Sequence, residues 1–226
     1  MRILVVGPYP PQRDGIGAYA AAQVALWRDE GHRVRVISPP EGGGDLRVAF
    51  LGGGAFRAGA RAGRGADRIV LHFQPSLYYR PRAPLSKIAT SWALLRLVRR
   101  RPTVELLVHE ADPPVRWRPD YALLRLAFRD APVLLFHTDA ERAALERDYQ
   151  VRVRSRVVPH AEGVRVRAPA SAAEARRRLG IPSDRTVLVA PGFLHRDKGV
   201  DRAIEAVRGV PGLHLYVVGS VRTSRP

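Results

Sequence analysis

The 226 residues include no cysteine, which excludes disulfides and thiolate metal sites. Lysine is almost as scarce, with only Lys87 and Lys198 among 38 basic residues, so the net charge of +17 is an arginine charge. Aromatic residues make up 7% of the chain and are not interleaved with the arginines, and no helix-turn-helix or RNP-type pattern occurs. Nucleic acid is therefore not the expected partner, despite the charge. No run approaches the roughly 18 uncharged apolar residues of a membrane span. The apolar opening, residues 1–7, is too short for a secretory leader and runs into a proline-rich turn. A soluble protein of a reducing cytoplasm is expected. G-x-G-x-x-G, a P-loop lysine, G-x-S-x-G and H-E-x-x-H are all missing, which disfavours a dinucleotide fold of the usual fingerprint, acyl hydrolysis and a helical zinc site.

With 46% hydrophobic and 26% charged residues, the composition is globular and the chain can bury a core. Short, nearly continuous apolar runs at 3–6, 34–37, 69–73, 104–108, 133–136, 156–158, 187–189 and 215–218 suit strands covered on both faces. Helical stretches lie between them, at 16–30, 84–101, 119–129, 139–149, 172–179 and 200–208. Gly31 and Gly180 stand where helix stops are expected, and Asp139 is a candidate cap. This alternation predicts an α/β fold with a doubly wound parallel sheet. The glycine-rich segment 41–65 reads as loop with one short helix. A composition shift over 164–183 marks a boundary near residue 165, giving a Rossmann-like domain over 1–165 and a linker with an incomplete second Rossmann-like domain over 166–226. One strand-helix-strand unit leaves a sheet face uncovered, so the second part is expected to pack on the first or to form an oligomer.

In an open parallel sheet, ligands bind beyond the carboxyl ends of the strands. The first such loop, Gly7-Pro8-Tyr9-Pro10-Pro11-Gln12-Arg13-Asp14-Gly15-Ile16-Gly17, opens straight into a helix. Free amides at a helix start, around Gly15, Ile16 and Gly17, suit a phosphate. Four of the seven histidines, His72, His109, His137 and His160, end strands and are expected on one rim. Residues 57–101 carry eleven basic residues against one acid, Asp67, and are expected to meet something anionic. Within them, Ile88, Trp92, Leu95 and Val98 share a helical stripe that ends in Arg99, Arg100 and Arg101. This stripe reads either as a core-facing helix or as an interfacial helix on anionic lipid.

Several of these segments, in order, resemble the retaining, nucleotide-sugar-dependent glycosyltransferases of the GT-B fold. Gly-Pro-Tyr-Pro-Pro, Asp-Gly-Ile-Gly-Ala-Tyr and Gly31-His32-Arg33-Val34 look like the start of the family's first domain. Val108-His109-Glu110, His137-Thr138-Asp139-Ala140-Glu141-Arg142 and Val157-Val158-Pro159-His160-Ala161-Glu162-Gly163 resemble later family segments, and 191–201 resembles the Lys-Gly turn that opens the second domain. The resemblance implies transfer of a sugar from a nucleotide-diphosphate sugar to a sugar or lipid-linked acceptor, with no metal or other cofactor. It assigns catalytic roles to His109, against the transferred sugar, and to Lys198, on the diphosphate. It places Gly15, Ile16, Gly17, His72, Glu110, His137 and Arg196 in substrate binding. It also implies peripheral contact with the inner face of the membrane.

Three departures stand out. Asp14 replaces a glycine, Phe193 replaces a diphosphate-binding arginine, and no two glutamates lie eight apart. The last predicts a truncated enzyme or, as the alternative, a non-catalytic acceptor- or polyanion-binding remnant.

Overall fold

A computed structural model describes residues 1–79, 83–111, 113–160 and 171–221. The chain divides into two compact units, Met1–Gly163 and Val164–Pro226. Arg80, Arg82, the boundary near 165 and the segment 161–163 lie outside the described residues.

The first unit opens with β1 (Arg2–Val6), α1 (Gly15–Asp29) and β2 (Arg33–Ser38). It continues through β3 (Leu46–Arg47), α2 (Gly54–Ala62), β4 (Arg68–Phe73), α3 (Pro75–Tyr78) and α4 (Pro84–Arg100). It closes with β5 (Val104–Val108), α5 (Pro119–Asp130), β6 (Val133–Phe136), α6 (Asp139–Tyr149) and β7 (Ser155–Val157). The strands form one seven-stranded sheet in the order β3-β2-β1-β4-β5-β6-β7, and every pairing is parallel. The predicted α/β doubly wound fold is what this chain adopts. Strand order reverses between β1 and β4, which makes the carboxyl ends of those two strands the natural place for a ligand.

The apolar runs are continuous because both faces of the sheet are covered. On one face Leu4, Val6, Ile69 and Leu71 join the large core with Phe56, Leu94, Leu97 and Phe128. On the other, Ile3, Val5, Val36 and Val70 meet Val24 of α1. Burying a side chain of this size stabilises by about 1.5–3 kcal/mol relative to leaving it exposed, and among the described residues the one charged side chain buried inside a central strand, Glu105 of β5, is paired with Arg68.

Segment 41–65 is more ordered than its glycines suggest. A short 3-10 turn at Leu51–Gly53 leads into α2, and Gly52 and Gly53 take φ of 62° and 81° to turn the chain into it. Ala55, Phe56, Ala58 and Gly59 are buried there. The cap of α6 is Thr138 rather than Asp139: Thr138 Oγ1 accepts from Glu141 N, and Glu141 reaches back to the Thr138 amide in a capping box. Thr138 has the extended backbone a cap requires, whereas Asp139 is already helical.

The α4 stripe splits. Leu95 and Val98 are buried and pack against the core, as a core-facing helix requires, but Trp92 is 48% exposed. Part of the basic run is also engaged within the unit. The Arg68 guanidinium donates to both Glu105 carboxylate oxygens, Arg99 pairs with Asp130, and Arg57 and Arg101 donate to the carbonyls of Gly52 and Ala60. These arginines stitch helices and strands together rather than forming one free anion-binding face.

α1 begins on Asp14, which is only 3% exposed and accepts from the amides of Ile16 (2.9 Å) and Gly17 (3.2 Å). An acidic N-cap satisfies helix donors that would otherwise be orphaned. Asp14→Ala is expected to cost about 1–2 kcal/mol, read as a lower urea midpoint at unchanged slope. A midpoint equal to that of the parent would mean that the cap contributes nothing.

The second unit contains α7 (Ala172–Leu179), β8 (Thr186–Pro191), α8 (Val200–Val207) and β9 (Leu213–Val218). β8 and β9 pair in parallel as a two-stranded sheet, and Leu188, Val189, Val217 and Val218 remain exposed on it. Ser171 caps α7 by accepting from Glu174 N, and Gly180 ends it at φ 65°.

Candidate functional site

Strand register determines which side chains share the rim. Val5 aligns with Val70, His72 with Leu107, Leu107 with Leu135, and Leu135 with Arg156. Side chains alternate faces along a strand, so Gly7, His72, His109, His137 and His160 fall on one face, the face that α1 covers. The rings do meet. The His72 and His109 centroids are 5.2 Å apart and nearly parallel, those of His109 and His137 are 5.3 Å apart, and His137 and His160 stack at 3.6 Å.

Tyr19 of α1 stands edge-on to all four rings, at 5.2 to 6.0 Å. Its phenol pKa is raised by burial. The resemblance includes Tyr19 in Asp-Gly-Ile-Gly-Ala-Tyr but gives it no role, and only the packing of α1 over the rim identifies it. Gly7 belongs to the site for a different reason. A Cβ at this position would stand 3.0–3.1 Å from the His72 ring, so the imidazole occupies the space that the missing side chain leaves.

Depth separates the histidines. His72 is 0% exposed, His137 is buried, His109 is half-buried and His160 is exposed. His72 therefore cannot touch a substrate as the resemblance implies, because it is sealed behind His109. Its Nδ1 lies 3.0 Å from His109 Nε2, and its own Nε2 is buried with no hydrogen-bond partner among the described residues. His137 Nδ1 donates to the Val158 carbonyl at 3.0 Å, which leaves its Nε2 as a bare acceptor, also buried and unpartnered among the described residues.

Burial pushes the His72 pKa down to about 3, with His109 and His137 adding to the effect. His109 is pushed down to about 4 by burial and by His137 and His160, against the pull of the Asp14 carboxylate. His160 is lowered chiefly by burial. Neutral rings of this kind donate, accept and orient hydroxyl groups, and they do not compete for an anion as a cationic cluster would.

Beyond the row, Glu110 accepts from Gln74 Nε2 at 2.8 Å on the exposed side of the rim. The helix start is the main difference from expectation. The Ile16 and Gly17 amides, expected to be free for a phosphate, donate to Asp14, so this helix end meets its own buried carboxylate. Gly17 instead lets α1 approach the loop after β1, with Pro8 and Tyr9 at 3.4 Å from where a Cβ would stand. Among the described residues, no group of three or more His, Cys, Asp or Glu side chains is arranged to hold a metal ion. In the second unit, Arg196 and Lys198 lie in a short 3-10 turn at the amino end of α8, both exposed.

No curated protein sequence matches the chain. Among solved structures, it is similar to a sucrose-phosphate synthase from Thermosynechococcus elongatus at 16% identity and a TM-score of 0.64, covering 100% of this chain and 64% of that one. It is also similar to an alpha-glucosyltransferase solved with UDP and a 13-mer DNA, at 13% identity and a TM-score of 0.56, over 93% of this chain and 54% of that one. An alpha-glucosyltransferase with UDP-glucose and DNA containing an abasic site gives 14% identity and a TM-score of 0.56, over 99% and 58%. The chain thus spans a little over half to about two thirds of the length of these structures. At such identities the likeness speaks for a common GT-B-like fold. The family model for the glycosyl transferase 4-like domain matches residues 14–192, from the cap of α1 to the end of β8, and the chain belongs to that family.

Proposed function

We propose that this chain is part of a retaining glycosyltransferase that moves a sugar from a nucleotide-diphosphate donor to a sugar or lipid-linked acceptor. The observation that carries the reading is the row of ring-packed histidines beside the strand-order reversal of a glycosyl transferase 4-like domain. In this reading residues 1–165 hold the acceptor and residues 166–226 begin the donor side. His109 meets the transferred sugar, with the exposed Glu110 beside it as a hydrogen-bonding group for hydroxyls and the buried His137 packed behind as support.

The leaving diphosphate gains negative charge as the glycosyl bond breaks, and a fixed cation stabilises that charge in the transition state more than in the ground state. Lys198 is assigned this task, with Arg196 as a second cation. Because Asp14 occupies the first amides of α1, the reading gives those two cations, rather than Gly15 and Gly17, the larger share of the diphosphate. Exposed Leu85 and Trp92 on α4, with exposed Arg96 and Arg100 on the same helix, support peripheral contact of a cytoplasmic protein with an anionic membrane.

Calorimetry of the full chain with UDP and with GDP tests the assignment. One nucleotide is expected to bind, and Lys198→Ala is expected to weaken it at least tenfold, about 1.4 kcal/mol. Lack of binding to either nucleotide, or equal affinity in the variant, rejects the role of Lys198.

A further inference from the structure

We infer that His72 is a positioning residue that donates from Nδ1 to His109 Nε2 and so holds His109 as its Nδ1–H tautomer, which presents a hydrogen-bond donor rather than a base at the rim. The functional meaning rests on the proposal that His109 meets the transferred sugar, but the tautomer itself does not.

The geometry leaves two arrangements for the 3.0 Å contact between the rings. In one, His109 Nε2–H donates to His72 Nδ1, and His72 must then carry its proton on Nε2. That atom is buried with no partner among the described residues, so the arrangement strands an N–H donor in the interior. In the other, His72 Nδ1–H donates to His109 Nε2, and the stranded atom is a bare ring nitrogen. Orphaned buried N–H groups are rarer in folded proteins than under-satisfied acceptors, which selects the second arrangement. His109 then carries its own proton on Nδ1, the ring nitrogen left without a protein partner among the described residues.

His72 is built to hold this geometry. Its ring fills the space above Gly7, its carbonyl accepts from Tyr78 Oη at 2.5 Å, and Tyr19 stands edge-on to both imidazoles. The near-parallel rings, 9° apart, are therefore fixed from three sides, by the loop after β1, by α3 and by α1. A histidine side chain free in water favours the Nε2–H form, so an Nδ1–H His109 is a state the fold must impose. His137 reaches the same tautomer by a different route, through its Nδ1–H bond to the Val158 carbonyl, and the inner half of the row is then uniform in tautomer. A donor at His109 Nδ1 would hold a sugar oxygen but could not take a proton from an attacking hydroxyl.

Long-range 1H–15N correlation spectra of the full chain with 15N-labelled histidine, recorded near pH 7.5, test this, with His109 assigned by its loss in His109→Asn. His109 is expected to show its proton on Nδ1. His72→Phe, which keeps a ring but no donor, is expected to shift that proton to Nε2. His72→Asn, whose amide N–H2 can stand near the position of Nδ1, is expected to retain the Nδ1–H form and provides the test if the phenylalanine variant fails to fold. An Nε2–H signal for His109 in the parent protein, or an unchanged tautomer in His72→Phe, overturns the inference. A chain that shows the Nδ1–H form yet binds neither UDP nor GDP rejects the glycosyl-transfer reading and leaves the role of His72 standing.

Discussion

Tyr78→Ala is expected to lower the stability of the chain by about 3–5 kcal/mol, the cost typical of removing a large buried ring. Tyr78 is fully buried on the four-residue α3. It stacks on Phe50 at 5.4 Å, lies 4.6 Å from Phe56 and 5.9 Å from Phe73, and so joins the loop after β3, helix α2 and strand β4. No smaller side chain can span those three contacts, and collapse of the cavity is opposed by the sheet on one side and α4 on the other. Tyr78→Phe separates packing from polarity: it keeps the ring and removes the hydroxyl that donates to the His72 carbonyl, for about 1 kcal/mol. Urea unfolding of both variants measures the difference. Equal losses in the two would mean that the hydroxyl, and not the ring, carries the effect, contrary to this account.

Acid is expected to weaken the fold well before the carboxylates titrate. His72 and His109 are held neutral, with pKa values pushed down to about 3 and about 4, chiefly by burial. In the unfolded chain both titrate near 6.5, so below that pH the unfolded state binds protons that the folded state refuses. Stability therefore falls as pH drops from about 6.5 toward 4, at about 1.4 kcal/mol per pH unit per histidine, and these groups contribute nothing to the slope above about 6.5. At pH 5 the loss relative to pH 7 is expected to be about 3–4 kcal/mol from the pair. Urea midpoints at pH 7.5 and 5.0 measure it, and the double variant His72→Asn/His109→Asn should be flatter over that interval. A double variant with the same pH slope as the parent would place the proton uptake elsewhere.

The strands were legible because both faces of the sheet are buried, which turns each strand into a short apolar run with little competing pattern. The helices between them were legible from their period. Segment 41–65 was not, because nine glycines mask a helix whose burial comes from tertiary packing against α4 rather than from its own propensity. For α4, helical spacing put Trp92 on the same stripe as Leu95 and Val98, but only the latter two are buried in the assembled core. The cap of α6 was misplaced by one residue, since a threonine and an aspartate in succession are both good caps and only backbone angle decides between them.

At the site, the histidines could be read as ending strands, but which face they share depends on register, and register is a property of the assembled sheet. Asp14 was legible as a departure from the family pattern. That its carboxylate would occupy the helix amides depended on an extended backbone at residue 14, φ −145° and ψ 137°, which no composition signal announces.

The histidine row is ultimately a matter of counting. Each of its members stands an even number of residues beyond a paired position, so the rim exists only while the lengths of the strands leading to it keep their parity. Deleting one residue from β4 would turn Phe73 toward Tyr19 and send an imidazole into the aromatic side of the core, with no change of amino-acid type at all. Insertions and deletions in these short strands are thus far more damaging to the rim than most point changes within it, whereas a change of length in a loop leaves the parity of the strands intact.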